Sequence, residues 1–191
     1  MGKQKYQERI AELFAKSPVV EFASLQRIIG SAPYAKLSVS VALRQGKIKR
    51  LARGIYTIHD DISLSVYAFR PGYLGLQSAL SYHRIWEQET VPVIITSRTT
   101  RLGTREIMGG NVHVHRISKK YLFGYTLYRD GQLYFPYSDV EKTIIDVVWF
   151  RQALDADAIK KAKRMMDTAR LKKYLEAYPL SFRKKVQRLI G

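Results

Sequence analysis

The 191-residue chain contains no cysteine, and this absence removes several classes of site at once. Disulfide bonds, thiol nucleophiles and cysteine-ligated zinc or iron–sulfur centres are all excluded. No run of about eighteen apolar residues occurs either, so the sequence predicts no transmembrane helix. The first residues are charged where a secretory signal would be apolar, and we therefore expect a cytoplasmic protein.

Acidic residues are also scarce. The chain has 16 acidic against 33 basic side chains, and its formal net charge is +17. The excess lies at both ends: residues 1–60 carry 11 Lys/Arg against 4 Asp/Glu, and residues 151–191 carry 12 against 4. A protein of this composition usually binds a polyanion, and nucleic acid is the leading candidate.

The stretch Pro33–Ile58 has the most informative pattern. Val39, Ala42 and Leu43 have the spacing of one helical face, and a glycine follows where the helix should end. Beyond it, basic and apolar residues alternate about Gly54, which predicts a short β-hairpin. A helix followed by a basic hairpin is typical of the second half of a winged helix-turn-helix, whose recognition helix enters the major groove of DNA.

Two further helices, Lys3–Lys16 and Phe22–Ile29, precede this stretch, with a short edge strand at Val19–Val20. We therefore predict a DNA-binding domain over residues 1–60; a small helical bundle without a DNA role is the alternative. The predicted DNA contacts are Tyr34, Lys36, Ser40, Arg44, Lys47, Lys49, Arg50 and Arg53. Arg44 is suited to bidentate recognition of guanine, and the hairpin cations are suited to phosphates.

The remaining residues, 61–191, predict a mixed α/β domain that ends in a helical segment, so the predicted fold class is α+β. A first helix is expected over Tyr73–Trp86, and from Ser138 onward three helices are expected, including Asp155–Tyr178 and Ser181–Ile190. The predicted strands are Val91–Ser97, Thr104–Met108, Val112–Ile117, Tyr125–Arg129 and Gln132–Phe135.

A second basic surface is predicted on the C-terminal helices, for nucleic acid or an acidic partner, with a merely solvated face as the alternative. Its residues are Lys160, Lys161, Lys163, Arg164, Lys172, Lys173, Lys184 and Lys185.

Two other groups of polar residues predict no site. His113 and His115 point to one face of a strand, but no third metal ligand is evident. Asp139 and Glu141 lie two apart on a helix and do not face each other, and Glu141 is expected to close a capping box with Ser138. No glycine-rich phosphate loop occurs, so we predict no catalytic residue, metal or cofactor.

Three segments together are similar to a known family. The end of the predicted DNA-binding domain, VALRQGKIKRLARGIY, resembles the winged helix of the AbiEi family, the antitoxins of type IV toxin–antitoxin systems. YLGLQSALSYHRIW resembles that family's helix of the form Y-L-S-x-x-S-A-L-x-x-H-G-L, and YSDVEKTIIDVVWF resembles its S-x-E-K-A-L-x-D helix. Gly75, Arg84 and Thr143 depart from the family pattern.

The resemblance implies a repressor that binds double-stranded DNA in its own promoter and autoregulates its operon. It also implies a C-terminal domain that counteracts a nucleotidyltransferase-like toxin without forming a stable complex, and an oligomer on DNA is compatible with it. Two alternatives stay open: a nucleic-acid-processing enzyme targeted by a winged helix, and a plain transcription factor whose C-terminal domain oligomerises or senses a ligand.

Overall fold

A computed structural model describes residues 2–87 and 91–191. The chain forms two compact units. The first comprises the residues up to Ala68 together with Glu106–Asn111, and the second comprises Phe69–Arg105 and Val112–Gly191. Among the described residues, no helix has both the length and the apolar character that a membrane span requires.

The first unit contains three helices and a small sheet. Its elements are α1 (Gly2–Lys16), β1 (Val20–Glu21), α2 (Phe22–Ile29), α3 (Ala32–Arg44), β2 (Lys49–Ala52) and β3 (Ile55–Thr57). The three strands are antiparallel in the order β1-β3-β2. Gly30 ends α2 in the left-handed conformation, with φ of 78°, which glycine adopts without steric cost.

All three helices of the first unit and two of its strands contribute to one hydrophobic core. The buried residues of this core are Phe14, Val20, Leu25, Val39, Ile48 and Tyr56. Because they come from all three helices and from the strands and their approach, the core fixes the position of α3 relative to the hairpin β2–β3.

A six-stranded mixed sheet lies in the second unit except for the segment Glu106–Asn111, which belongs to the first. Its strands are β4 (Gly72–Leu74), β5 (Val93–Thr96), β6 (Gly103–Ile107), β7 (Gly110–Arg116), β8 (Tyr125–Asp130) and β9 (Leu133–Ser138), in the order β6-β7-β5-β4-β9-β8. β4 runs parallel to β9 and β5 runs parallel to β7, whereas the pairs β4–β5 and β8–β9 are antiparallel. The predicted α+β class is confirmed.

Helix α5 is central to the second unit. The helices are α4 (Gln77–Tyr82), α5 (Val140–Trp149), α6 (Ala156–Met165), α7 (Thr168–Leu175) and α8 (Leu180–Ile190). α5 packs against all four of the others and against β9. Ile144, Ile145 and Val147 are almost fully buried, as expected for a helix that is apolar on most of its circumference.

Two predicted helices of this unit are wrong. The predicted helix Tyr73–Trp86 is instead strand β4 followed by the short α4, because Tyr73 pairs with Ile95 of β5 and Leu74 pairs with Tyr137 of β9. The predicted helix Asp155–Tyr178 is divided into α6 and α7, because the carboxylate of Asp167 accepts hydrogen bonds from the first amides of a new helix.

Candidate nucleic-acid interface

Helix α3 is amphipathic in the manner that the sequence predicts. Ser31 precedes it in an extended conformation, Pro33 lies in its first turn, and it ends at Arg44. Proline suits the first turn because its missing N–H has no helical partner there. The inner side of the helix buries Ala35 and Val39, so the opposite side remains available for solvent or a ligand.

The outward face of α3, defined here as Lys36, Leu37, Ser40, Val41 and Arg44, is exposed except for half-buried Val41. Tyr34 lies beside it near the N-terminus of the helix and is 39% exposed. The four α3 residues predicted to contact DNA therefore lie together at one accessible surface. Among the described residues, neither Lys36 nor Arg44 takes part in an ion pair.

The hairpin β2–β3 follows α3 and carries the other predicted contacts. A register shift between Arg50 and Ala52 marks a bulge, and Gly54 turns the chain at φ of 79°. The side chains of Lys47, Arg50 and Arg53 are exposed.

Lys49 differs from the other three hairpin cations, because its ammonium group forms an ion pair with Asp60. The lysine is partly buried, whereas Asp60 is almost fully exposed. Residues 22–59, which include α3 and the hairpin, contain no aspartate or glutamate. The helix and the hairpin therefore add no negative side chain to this surface, and cations and hydroxyl groups of this kind bind the phosphates and base edges of DNA.

The predicted C-terminal basic surface is mostly exposed, and seven of its residues form no ion pair with any described residue. Lys161 is the exception, because its ammonium lies 3.0 Å from a carboxylate oxygen of Glu87. Two neighbouring arginines have internal roles. Arg183 donates hydrogen bonds to the carbonyl oxygens of Glu176 and Tyr178, and Arg170 lies 3.6 Å from Glu141.

The start of α5 contains a polar cluster whose helix cap differs from the predicted one. The expected capping box of Ser138 and Glu141 is wrong, because Asp139 is the N-cap and its carboxylate accepts a hydrogen bond from the amide of Lys142. The hydroxyl of Ser138 instead lies 2.8 Å from that of Thr143. The cap is therefore displaced by one residue, and Glu141 is free for another role.

That role is to hold α7. One carboxylate oxygen of Glu141 accepts a hydrogen bond of 2.5 Å from the amide of Asp167, and the other faces Arg170. The second oxygen of Asp139 accepts a hydrogen bond of 2.7 Å from the hydroxyl of Tyr174. Burial raises the pKa of Asp139, while the hydrogen bonds from Lys142 and Tyr174 oppose that rise. Both carboxylates thus fix the helix that carries Lys172 and Lys173.

Deeper in the same unit, Lys142 and Asp146 form a fully buried ion pair one helical turn apart. Asp146 also accepts a hydrogen bond of 2.7 Å from the hydroxyl of Tyr73. The ammonium of Lys142 lies 3.3 Å from the hydroxyl of Tyr178. Burial lowers the pKa of Lys142 and raises that of Asp146, and their mutual attraction opposes both shifts. Burial beside Asp146 also raises the pKa of Tyr73.

The sequence contained a signal for this buried pair. Lys142 and Asp146 have opposite charges at the i and i+4 positions, where side chains meet on a helix, and the residues around them are mostly apolar. A buried charge requires a partner, so the pairing could have been inferred. Its contact with Tyr73 could not, because the two residues are 73 positions apart.

Three histidines contact backbone or ring groups of the second unit. A ring nitrogen of His83 lies 2.8 Å from the carbonyl oxygen of Ser138. The rings of His113 and His115 lie 4.6 Å apart on one face of β7, and His115 also packs against Phe150. Burial and the neighbouring His113 lower the pKa of His115 to about 4. Within the described ranges, no three His, Cys, Asp or Glu side chains are grouped as a metal site would need.

The fold, but not the sequence, is similar to that of a known protein. No protein-family model matches the sequence, and no curated protein is similar to it. The Rv2827c protein of Mycobacterium tuberculosis has a similar crystal structure, with a TM-score of 0.61. The match covers 97% of this chain and 76% of that one at 14% sequence identity. The structural similarity supports a shared fold, and at this low sequence identity it says nothing about function.

Proposed function

We propose that the first unit is a winged helix-turn-helix and that the chain is a non-enzymatic, DNA-binding repressor of its own operon. The observation that carries this proposal is the outward face of α3 beside the basic hairpin β2–β3. The element order and the β1-β3-β2 sheet support it, because a winged helix places a recognition helix next to such a hairpin.

In this proposal α3 lies in the major groove. Arg44 reads a base edge, Tyr34, Lys36 and Ser40 contact base edges or nearby phosphates, and the hairpin cations contact the backbone beside the groove. Phosphate contacts give affinity for every sequence, whereas base contacts give preference for one. We therefore predict that the hairpin supplies affinity for any DNA sequence and that α3 supplies the preference for one.

We further propose that the second unit is the antitoxin part of an AbiEi-like protein, acting on a nucleotidyltransferase-like toxin. The support is the sequence resemblance to that family of YLGLQSALSYHRIW, which forms β4 and α4 here, and of YSDVEKTIIDVVWF, which contains α5. An enzymatic role is disfavoured by the contacts of the most enzyme-like residues. Asp139, Glu141 and Lys142 are buried and engaged with helix amides, Tyr174, Arg170 and Asp146.

The DNA-binding part is tested by titrating the full chain against its own promoter duplex and against a shuffled duplex of the same composition. We expect clear preference for the promoter. Arg44→Ala should reduce that preference by roughly 1–3 kcal/mol if the guanidinium pairs with guanine. Equal affinity for the two duplexes would refute the assignment.

The antitoxin part is tested by co-expression with the nucleotidyltransferase-like protein encoded in the same operon. Reversing Lys172, Lys173, Lys184 and Lys185 to glutamate leaves the core around Ile144 and Ile145 intact, so the variant should fold. We expect the parent protein to restore growth and the variant to fail. If a folded variant protects equally well, the C-terminal basic surface is only a solvated face.

A further inference from the structure

Leu37 is exposed at the centre of the outward face of α3, where no described residue covers it. It retains 56% of its accessible surface. At 3.6 residues per turn, Leu37 lies almost diametrically opposite the helix side that buries Ala35 and Val39. Its exposure therefore follows from its position on the helix.

Single exposed leucines are common on proteins, so the neighbours decide what this one means. Lys36, Ser40 and Arg44 lie along one side of Leu37 on the same face, and all three are exposed. An apolar side chain among donors matches the edge of a base pair in the major groove. There, thymine presents a carbonyl oxygen beside a 5-methyl group, and guanine presents two acceptors.

We propose that Leu37 is a specificity-determining residue that packs against the 5-methyl group of a thymine in the operator. The inference rests on the proposed DNA-binding function and adds a base preference to it. Leu37 and Arg44 are seven residues apart, which is about 10.5 Å along a helix that rises 1.5 Å per residue. With a base-pair rise of about 3.4 Å, the thymine should lie roughly three base pairs from the base that Arg44 contacts.

A second copy of the chain is a less suitable occupant of this face. A symmetric contact through Leu37 would bring the neighbouring Lys36 close to Lys36 of the other copy. Since residues 22–59 contain no carboxylate, nothing on α3 or the hairpin would compensate this repulsion. Charge complementarity therefore favours DNA.

The test uses promoter duplexes in which each thymine in turn is replaced by deoxyuridine, which lacks only the 5-methyl group. The full-length protein should lose about fourfold in affinity at one or two positions, the effect expected for one buried methyl group. Leu37→Ala should bind the unmodified promoter more weakly and should no longer distinguish thymine from deoxyuridine at those positions. Leu127→Ala is the matched control, because Leu127 is 59% exposed on β8 of the second unit.

The outcomes separate this inference from the function on which it rests. Loss of the thymine preference in Leu37→Ala alone, with circular dichroism unchanged, supports the proposal. A promoter preference that is insensitive to every deoxyuridine, or equally sensitive in wild type and Leu37→Ala, overturns it and leaves the DNA-binding function standing. Absence of any promoter preference in the wild-type protein overturns both.

Discussion

Arg44 in the first unit and Lys142 in the second are both cations on helices, yet their surroundings are opposite. Arg44 is exposed, and no described carboxylate pairs with it. Lys142 is fully buried and pairs with Asp146. An exposed cation keeps its hydration and can exchange water for a phosphate or a base, whereas a buried one must be neutralised inside the fold.

This contrast extends to the groups around each residue. In the first unit, residues 22–59 carry basic side chains and no acidic one, and Asp60, which pairs with Lys49, lies just outside this stretch. At the start of α5, Asp139 accepts hydrogen bonds from an amide of α5 and from the hydroxyl of Tyr174, and Glu141 accepts one from the amide of Asp167 just before α7. We therefore propose that the first region uses its charge for an external ligand, whereas the second uses its charge to hold helices together. The following predictions test that difference.

The largest effect is expected from breaking the buried pair. Asp146→Ala leaves the ammonium of Lys142 buried without a counterion and the hydroxyl of Tyr73 without an acceptor. We expect the free energy of unfolding to fall by about 3–5 kcal/mol, measured by urea denaturation.

Two variants sharpen this result. Glu87→Ala breaks only the exposed pair with Lys161, and it should cost less than about 1 kcal/mol. The double variant Lys142→Met with Asp146→Asn removes both charges, and it should recover much of the stability lost in Asp146→Ala. A small effect of Asp146→Ala would show that the buried pair is not important for stability.

The second prediction concerns the hairpin. Replacing Lys47, Arg50 and Arg53 by alanine should weaken DNA binding roughly 100-fold near physiological salt and lower the slope of affinity against salt by up to about 2.7, because each phosphate contact releases counterions. Stability should not change, since all three side chains are exposed. Affinity measured over a range of salt concentrations provides the check.

A charge-matched control comes from the second unit. Arg101, Lys119 and Lys120 are exposed and lie outside both proposed surfaces, so replacing them by alanine removes the same charge elsewhere. If this control weakens binding as much as the hairpin variant does, net charge rather than the hairpin accounts for the affinity.

The smallest effect is expected from Asp60. Its carboxylate pairs with Lys49 and must compete with any phosphate that approaches that lysine. Asp60→Asn should therefore tighten DNA binding by up to about fivefold and make it more sensitive to salt, by about one further phosphate contact. Unchanged affinity in Asp60→Asn, measured by the same titration, would indicate that Lys49 does not contact DNA.

Local signals in the sequence predicted the first unit well. The apolar spacing of Phe22–Ile29 and the glycine after it gave both ends of α2 correctly, and Gly54 turns the hairpin as expected. These features depend on neighbouring residues alone. The candidate interface follows from them, because the exposed side of α3 is the complement of its buried side.

The second unit was predicted less well because its structure depends on distant contacts. YLGLQSAL has apolar residues at helical spacing, but Tyr73 and Leu74 gain strand partners from β5 and β9, and Leu76 has a positive φ of 50° that a helix does not allow. The misplaced cap at Ser138 has a local cause, since serine and aspartate cap helices about equally well and are adjacent here. Asp139 takes the position.

The contacts that the carboxylates make within the protein bear on its expected rate of association with a polyanion. Many of its acidic side chains are buried, cap helices or pair with lysines, including Asp60, Glu87, Asp139, Glu141, Asp146, Asp155 and Asp167. Together with the formal net charge of +17, this makes cations dominate the field that reaches into solvent, and such a field accelerates encounter as well as strengthening contact. Its reach shrinks with the Debye length, from about 30 Å at 0.01 M salt to about 8 Å at 0.15 M. The association rate with DNA should consequently fall steeply as salt is raised over that range.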